Sequence, residues 1–238
     1  MGYKLLKSFR EVFEGTLYRQ RVSTHGDNVS RYFYEDLYDL GRSGAYTKRV
    51  QSGLSVVNAQ NRRHGIAARR GDGTFGESIP NTDPVSVSGF SVKRGPIATI
   101  EIGIEVKIFA KAMIKQFGRV KSDLTDQLSH FKSKGGHPIT LGIVAINHAP
   151  KYISHEKQKK WITDGSHTYR HPIQEAAKVE ERLLAEVASS YDHFLILRFV
   201  ATNFPPRAFS WINEKKTKLD YGAILARVSQ EYQAVYGP

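Results

Sequence analysis

Two strongly apolar runs constrain this chain most: "ITLGIVAI" at 139–146, which is continuous, and "HFLILRFVA" at 193–201. A half-exposed strand alternates apolar and polar residues, whereas a continuous run of strand length marks a strand buried on both faces. Such strands occur in sheets covered by helices on each side. A helix over about 173–190 separates the two runs. A longer one over 110–133 precedes them, with Met113, Phe117, Val120, Leu124, Leu128 and Phe131 at helical spacing and "KGGHP" as its stop. Before that helix stands "IEIGIEVKIF" (100–109), in which Ile100, Ile102, Ile104, Val106 and Ile108 alternate with Glu101, Gly103, Glu105, Lys107 and Phe109. The pattern predicts an α/β fold, a mixed central β-sheet flanked by helices.

The rest reads less sharply. Ser8 and Glu11 form a capping box, predicting a helix that runs to about Gln20, and "STHGDN" ends it. A second helix is expected from Val29 to about Leu40. Residues 61–84 read as loop, "VSVSGFSV" (85–92) as a strand, and the last helix as starting near Tyr221. At 238 residues the chain suits a single domain: a helical N-terminal part over 1–60, a core over about 80–201 and a helical tail.

Charge narrows the function. Lysine and arginine outnumber the acids 35 to 23, for a net charge of +12, which points to a polyanion: nucleic acid first, an anionic membrane second. With no cysteine, disulfides and thiolate zinc sites are excluded, and an intracellular, cytoplasmic chain is expected. The N-terminus shows no signal peptide, and no segment approaches membrane-spanning length. Two motifs fail on context. "GDGTFG" (71–76) matches a dinucleotide fingerprint but has "AARR" before it and "ESIPNTDP" after it, where a strand and a helix are required. His167 and His171 in "HTYRH" lack a third ligand at recognisable spacing. There is no Walker A sequence and no G-x-S-x-G elbow.

What remains is Glu105 and Lys107. Two residues apart on a strand, they project side by side, ~6–7 Å apart at the backbone. A carboxylate there can hold Mg²⁺, and an ammonium beside it can orient water and offset charge on a phosphoryl group. Glu101 lies ~13 Å from Glu105 along the strand, too far to share an ion. A second acid is expected from the upstream loop: Asp83, with Asp72 and Glu77 in reserve. Gln127 falls on the apolar stripe of the long helix, where a polar side chain must find a partner. Lys111, Lys115 and Arg119, four apart, form a stripe suited to backbone phosphates, and Arg62, Arg63, Arg69 and Arg70 in the preceding loop suit phosphate or guanine contacts.

An acid ahead of the strand, then Glu105-Val106-Lys107 as E-x-K, then a helix with "QLSHF" (127–131) resembles the PD-(D/E)XK nuclease superfamily. Phe131 stands where its Q-x-x-x-Y element usually has tyrosine, and Pro84 follows Asp83 where the family's proline precedes its acid. The resemblance implies an αβββαβ restriction-endonuclease-like core. It implies Mg²⁺ (with Mn²⁺ able to substitute) held by Asp83, Glu105 and the Val106 carbonyl, and water assisted by Lys107 with Gln127 nearby. Some members add an acid from the helix before the sheet, for which Glu35 and Asp36 are the candidates. The expected activity is phosphodiester hydrolysis in double-stranded DNA by a homodimeric restriction or phage-defence endonuclease. A repair or recombination nuclease such as a junction resolvase, and a non-catalytic basic nucleic-acid-binding protein, are the alternatives.

Overall fold

The computed structural model describes residues 2–19, 24–58, 73–133, 136–156 and 159–238. Three helices come first: α1 (Lys4–Glu11), α2 (Thr24–Leu40) and α3 (Gly44–Ser52). Then follow β1 (Ser55–Asn58), β2 (Gly73–Glu77), the two-residue β3 (Arg94–Gly95) and β4 (Ile102–Phe109). The long helix α4 (Met113–Lys132) leads to β5 (Ile139–Asn147), a hairpin of β6 (Ile153–Glu156) and β7 (Lys159–Ile162), and α5 (Ile173–Glu186). The chain closes with β8 (His193–Ala201), β9 (Phe209–Trp211) and α6 (Glu214–Tyr236).

Seven strands form one mixed sheet in the order β3-β1-β2-β4-β5-β8-β9. β1, β2 and β4 make an antiparallel series, and β4, β5 and β8 run parallel. Helices cover both faces. Ile102, Ile104 and Val106 of β4 and Leu141, Ile143 and Ala145 of β5 pack with side chains of α1, α2 and α6, among them Phe9, Phe33 and Leu225. Phe109, Val144 and Ile146 point the other way, into a cluster with Phe117, Leu124 and Leu183 from α4 and α5. This is the expected α/β architecture, and, with the two-residue β3 set aside, α3-β1-β2-β4-α4-β5 runs helix-strand-strand-strand-helix-strand.

β5 is buried along its whole length, as its apolar run requires. β8 is not: Phe194, Ile196 and Arg198 are half-buried, and Arg198 reaches Glu180 of α5 in a salt bridge. The expected strand over 85–92 is absent. Val85 makes only an isolated bridge to Arg94, while the Ser91 and Val92 N–H groups donate to the Glu35 carboxylate at 3.0 and 2.7 Å.

Helix boundaries differ for a tertiary reason. Ser8 and Glu11 do not cap anything; they lie inside α1, whose N-cap Tyr3 offers no side-chain bond. The cap comes from α2 instead, where Asp36 accepts the N–H groups of Lys4 (2.7 Å) and Leu5 (2.9 Å) and the Tyr221 hydroxyl of α6 (2.8 Å). Burial raises the Asp36 carboxyl pKa despite those donors. α6 starts at Glu214, seven residues before Tyr221, because the Asn213 side chain accepts Lys216 N–H at 2.9 Å. Among the described residues no helix is long and apolar enough to cross a membrane.

Candidate active site

The site is built where α4 crosses β4. Along β4, Gly103, Glu105, Lys107 and Phe109 turn toward α4. Four helical residues advance ~6.0 Å and two strand residues ~6.6 Å, so one helix face can track alternate strand positions. The contacts follow that match. Asp123 of α4 lies at Lys107, its Oδ2 3.8 Å from Nζ. Phe131 lies on Gly103, where an added Cβ would fall 2.6 Å from the ring, so the close approach requires glycine. Gln127, midway between Asp123 and Phe131, is thereby set at the level of Glu105.

Glu105 is 4 % exposed, and its Oε1 accepts Lys107 Nζ at 2.6 Å. Lys107 keeps 23 % of its side chain in solvent, so the pair is open from the lysine end. Asp123, a residue the sequence reading passed over, links Lys107 to Arg119, which donates to the same Oδ2 at 3.1 Å. The signal was present, because Asp123 sits four residues before Gln127 on the same helix face. Gln127 is buried at 5 % exposure, as expected, yet its Nε2 has no hydrogen-bond partner. An amide donor left so costs ~1–3 kcal/mol unless something absent from the chain accepts it.

Other expected participants are elsewhere. Asp83 opens no strand; it is exposed, two residues before the Val85–Arg94 bridge at the β3 edge. β3 lies three strands from β4, which at ~4.8 Å per strand separates Asp83 from Glu105 by ~14 Å or more. Asp83 therefore cannot share an ion with Glu105. The strand antiparallel to β4 opens at Gly73, paired with Ile104. The residue before it in the chain, Asp72, lies outside the described residues, as do Arg62, Arg63, Arg69 and Arg70. Glu77 shares the α2 side of β2 with buried Phe75, the opposite face from Glu105.

Glu101 also leaves the face predicted for it. The strict alternation begins only at Ile102: Ile100 packs with Phe131 on the α4 side, and Glu101 turns to α3 and α6. Its carboxylate accepts Arg49 Nη2 at 2.6 Å, Ser55 Oγ at 2.8 Å and the Tyr232 hydroxyl. Burial, reinforced by Glu101, pushes the Tyr232 pKa far up, so it remains a donor. Glu35 and Asp36 hold the 91–92 backbone and the start of α1, so neither is available as a helix-borne ligand.

The basic stripe divides. Lys111 precedes α4, Lys115 is exposed on its first turn, and Arg119 is tied to Asp123. "GDGTFG" places Gly73–Gly76 inside β2 with no helix after it, so it is no dinucleotide turn. His171 Nδ1 lies 2.9 Å from Thr163 Oγ1, and among the described residues no group of three or more His, Asp or Glu side chains is placed to hold a metal ion. No family model matches the chain, and no curated protein or solved structure is significantly similar to it.

Proposed function

We propose that this chain is a divalent-cation-dependent endonuclease that hydrolyses phosphodiester bonds in double-stranded DNA. The observation that carries the reading is the Glu105–Lys107 pair, in contact at 2.6 Å beneath a helix that brings it an unpartnered buried amide. A carboxylate and an ammonium in contact, with an unfilled amide donor on the helix that covers them, are groups that phosphoryl transfer uses. The net charge of +12 supplies the long-range attraction for the substrate.

The donor set suits Mg²⁺ in its minimal form. That ion takes one or two carboxylates and leaves its remaining positions to water and phosphate oxygens. Glu105 and the Val106 carbonyl would hold it, with Asp123, 3.8 Å from Lys107 Nζ, as a further carboxylate on the same side of the sheet. When bound, such an ion neutralises phosphate charge and lowers the pKa of water. Lys107 Nζ, on the solvent side of Glu105, would orient the attacking water and donate to a phosphoryl oxygen as negative charge builds there. Gln127 Nε2 would donate to the same water or to a non-bridging oxygen. Water oxygen bonds to phosphorus, the bond to one bridging oxygen breaks, and the departing oxygen takes up a proton. Cutting both strands with one site per chain favours a symmetric dimer, as in restriction of a palindromic site.

A second reading draws on the burial of Glu105. At 4 % exposure with Lys107 already on it, the pair could be purely structural in a basic protein that binds DNA without cutting it. Incubation with plasmid DNA and Mg²⁺, with sequencing of any ends, decides between them. Cleavage lost on chelation and in Glu105→Gln supports hydrolysis; metal-independent binding with intact plasmid refutes it.

A further inference from the structure

A cleft of about 690 Å³ opens beside the first turn of α4, walled by β7 and the loop that follows it. It lies four residues beyond Lys107, ~13 Å along an extended chain, where β4 ends. Ligands of open α/β sheets bind at the carboxyl ends of parallel strands, which is where this cleft is. Trp161 and Tyr169 stand on one wall, 39 % and 43 % exposed, with ring planes within 17° and centroids 6.4 Å apart. Lys111, Lys115 and Arg170 line the rest.

The aromatic pair does not hold the hairpin in place. Its base is fixed by Tyr152 N–H donating to Thr163 Oγ1 at 2.8 Å, Thr163 N–H to Tyr152 O at 3.0 Å, and Asn203 Nδ2 to Ile153 O at 2.8 Å. All four residues of β7 are exposed, so Trp161 shows its ring to solvent with no packing role that demands it. The charges agree. Neither Lys115 nor Arg170 has a carboxylate partner among the described residues. The one acid among the cleft's lining residues, Glu175, is buried with its Oε2 accepting Met113 N–H at 2.8 Å, which caps α4 and turns that carboxylate away from Lys115 and Arg170.

We propose that this cleft binds an unpaired nucleotide of a single-stranded nucleic-acid segment, its base stacked on Trp161 and Tyr169 and its phosphates against Lys115, Arg170 and Lys111. Stacking on exposed aromatics flanked by cations is how proteins grip single strands without reading sequence. A paired base is hidden in its duplex and cannot offer its face to the rings. The cleft is concave and of nucleotide size, a poor match to a flat bilayer surface. The inference rests on the nucleic-acid part of the proposed function and not on hydrolysis.

The test therefore uses the whole chain in chelator, without divalent cation, so that cleavage plays no part. The chain has two tryptophans, and Trp211 is buried against Phe9, so quenching on titration reports Trp161. Oligothymidylate or oligouridylate should quench the wild-type emission, and the anisotropy of a fluorescently labelled oligothymidylate, which needs no tryptophan, should give about 5- to 150-fold lower affinity for Trp161→Ala. Trp161→Phe should keep most of the affinity and lose the quenching. Lys115→Ala and Arg170→Ala should each flatten the log affinity–log salt slope by up to ~0.7. Unchanged far-ultraviolet circular dichroism of Trp161→Ala verifies the fold. Equal affinity of wild type and Trp161→Ala overturns the proposal. So does quenching by duplex DNA as strong as by the single strand, or quenching by phosphatidylserine vesicles but by neither oligonucleotide.

Discussion

Replacing Lys107 by methionine keeps the length of the side chain and removes the ammonium 2.6 Å from Glu105. The carboxylate, 4 % exposed, then loses that contact. Breaking a buried pair from one side costs ~3–5 kcal/mol. Lys107 is partly in solvent, so water can reach the vacated end, and the loss should be nearer ~2–3 kcal/mol. In a chain of this size that is a fall in Tm of roughly 4–12 °C. The sign with pH is fixed as well. Removing an ammonium that favours the charged form moves the Glu105 pKa up from where it stands in the wild type, so the stability lost in the variant is largest at neutral pH and shrinks as pH falls and the carboxyl protonates. Glu105→Gln with Lys107→Met should recover part of the loss, because the buried charge is removed together with the ammonium that faced it. Urea unfolding of the two single variants and the double across pH, with plasmid cleavage measured in parallel, gives both readouts. If the pair is catalytic, all three variants cut at least ~100-fold more slowly, including the restabilised double variant. A Lys107→Met loss below ~0.5 kcal/mol with no pH dependence would refute the burial argument. Full cleavage by the double variant would refute the catalytic one.

The acids separate in the same assay: Asp83→Ala should cut at the wild-type rate because Asp83 lies at the β3 edge, and an inactive Asp83→Ala would return it to the site. Asp123→Ala should slow cleavage, and Asp72→Ala tests the residue preceding the Gly73 partner of Ile104. Gly103→Ala should cost about 1–3 kcal/mol in urea unfolding, since its Cβ meets the Phe131 ring, and Phe131→Leu in the same chain should restore much of it. Two donors, Arg182 first and then Lys121, hold the Glu186 carboxyl at about 2, below its unfolded value. Its contribution is present above the unfolded carboxylate pKa and lost as pH falls toward about 2. Glu186→Gln should flatten that part of the urea midpoint–pH curve; an identical acid limb would show the pairing to be without effect.

Local pattern determined a good deal. The continuous run at 139–146 became the fully buried β5, and the helix expected over 110–133 became α4, which starts three residues later and ends one earlier. Alternation from Ile102 onward put Glu105 and Lys107 on one face, and the position of Gln127 on the apolar stripe predicted its burial. These are consequences of the two-residue and 3.6-residue periods, which a sequence carries in itself. Tertiary structure decided what those periods cannot express. Asp36, thirty-two residues from Lys4, caps α1 in place of a local Ser8 box. A break in alternation after Ile100 sends Glu101 to Arg49 and Tyr232, so an acid four residues from Glu105 ends on the other side of the sheet. The start of β2 at Gly73 strands Asp83 at a distant edge, and the match of helix rise to strand rise brings Asp123 to Lys107. Each depends on which segment lies beside which, set by packing across tens of residues, and no periodicity within one segment records its neighbour.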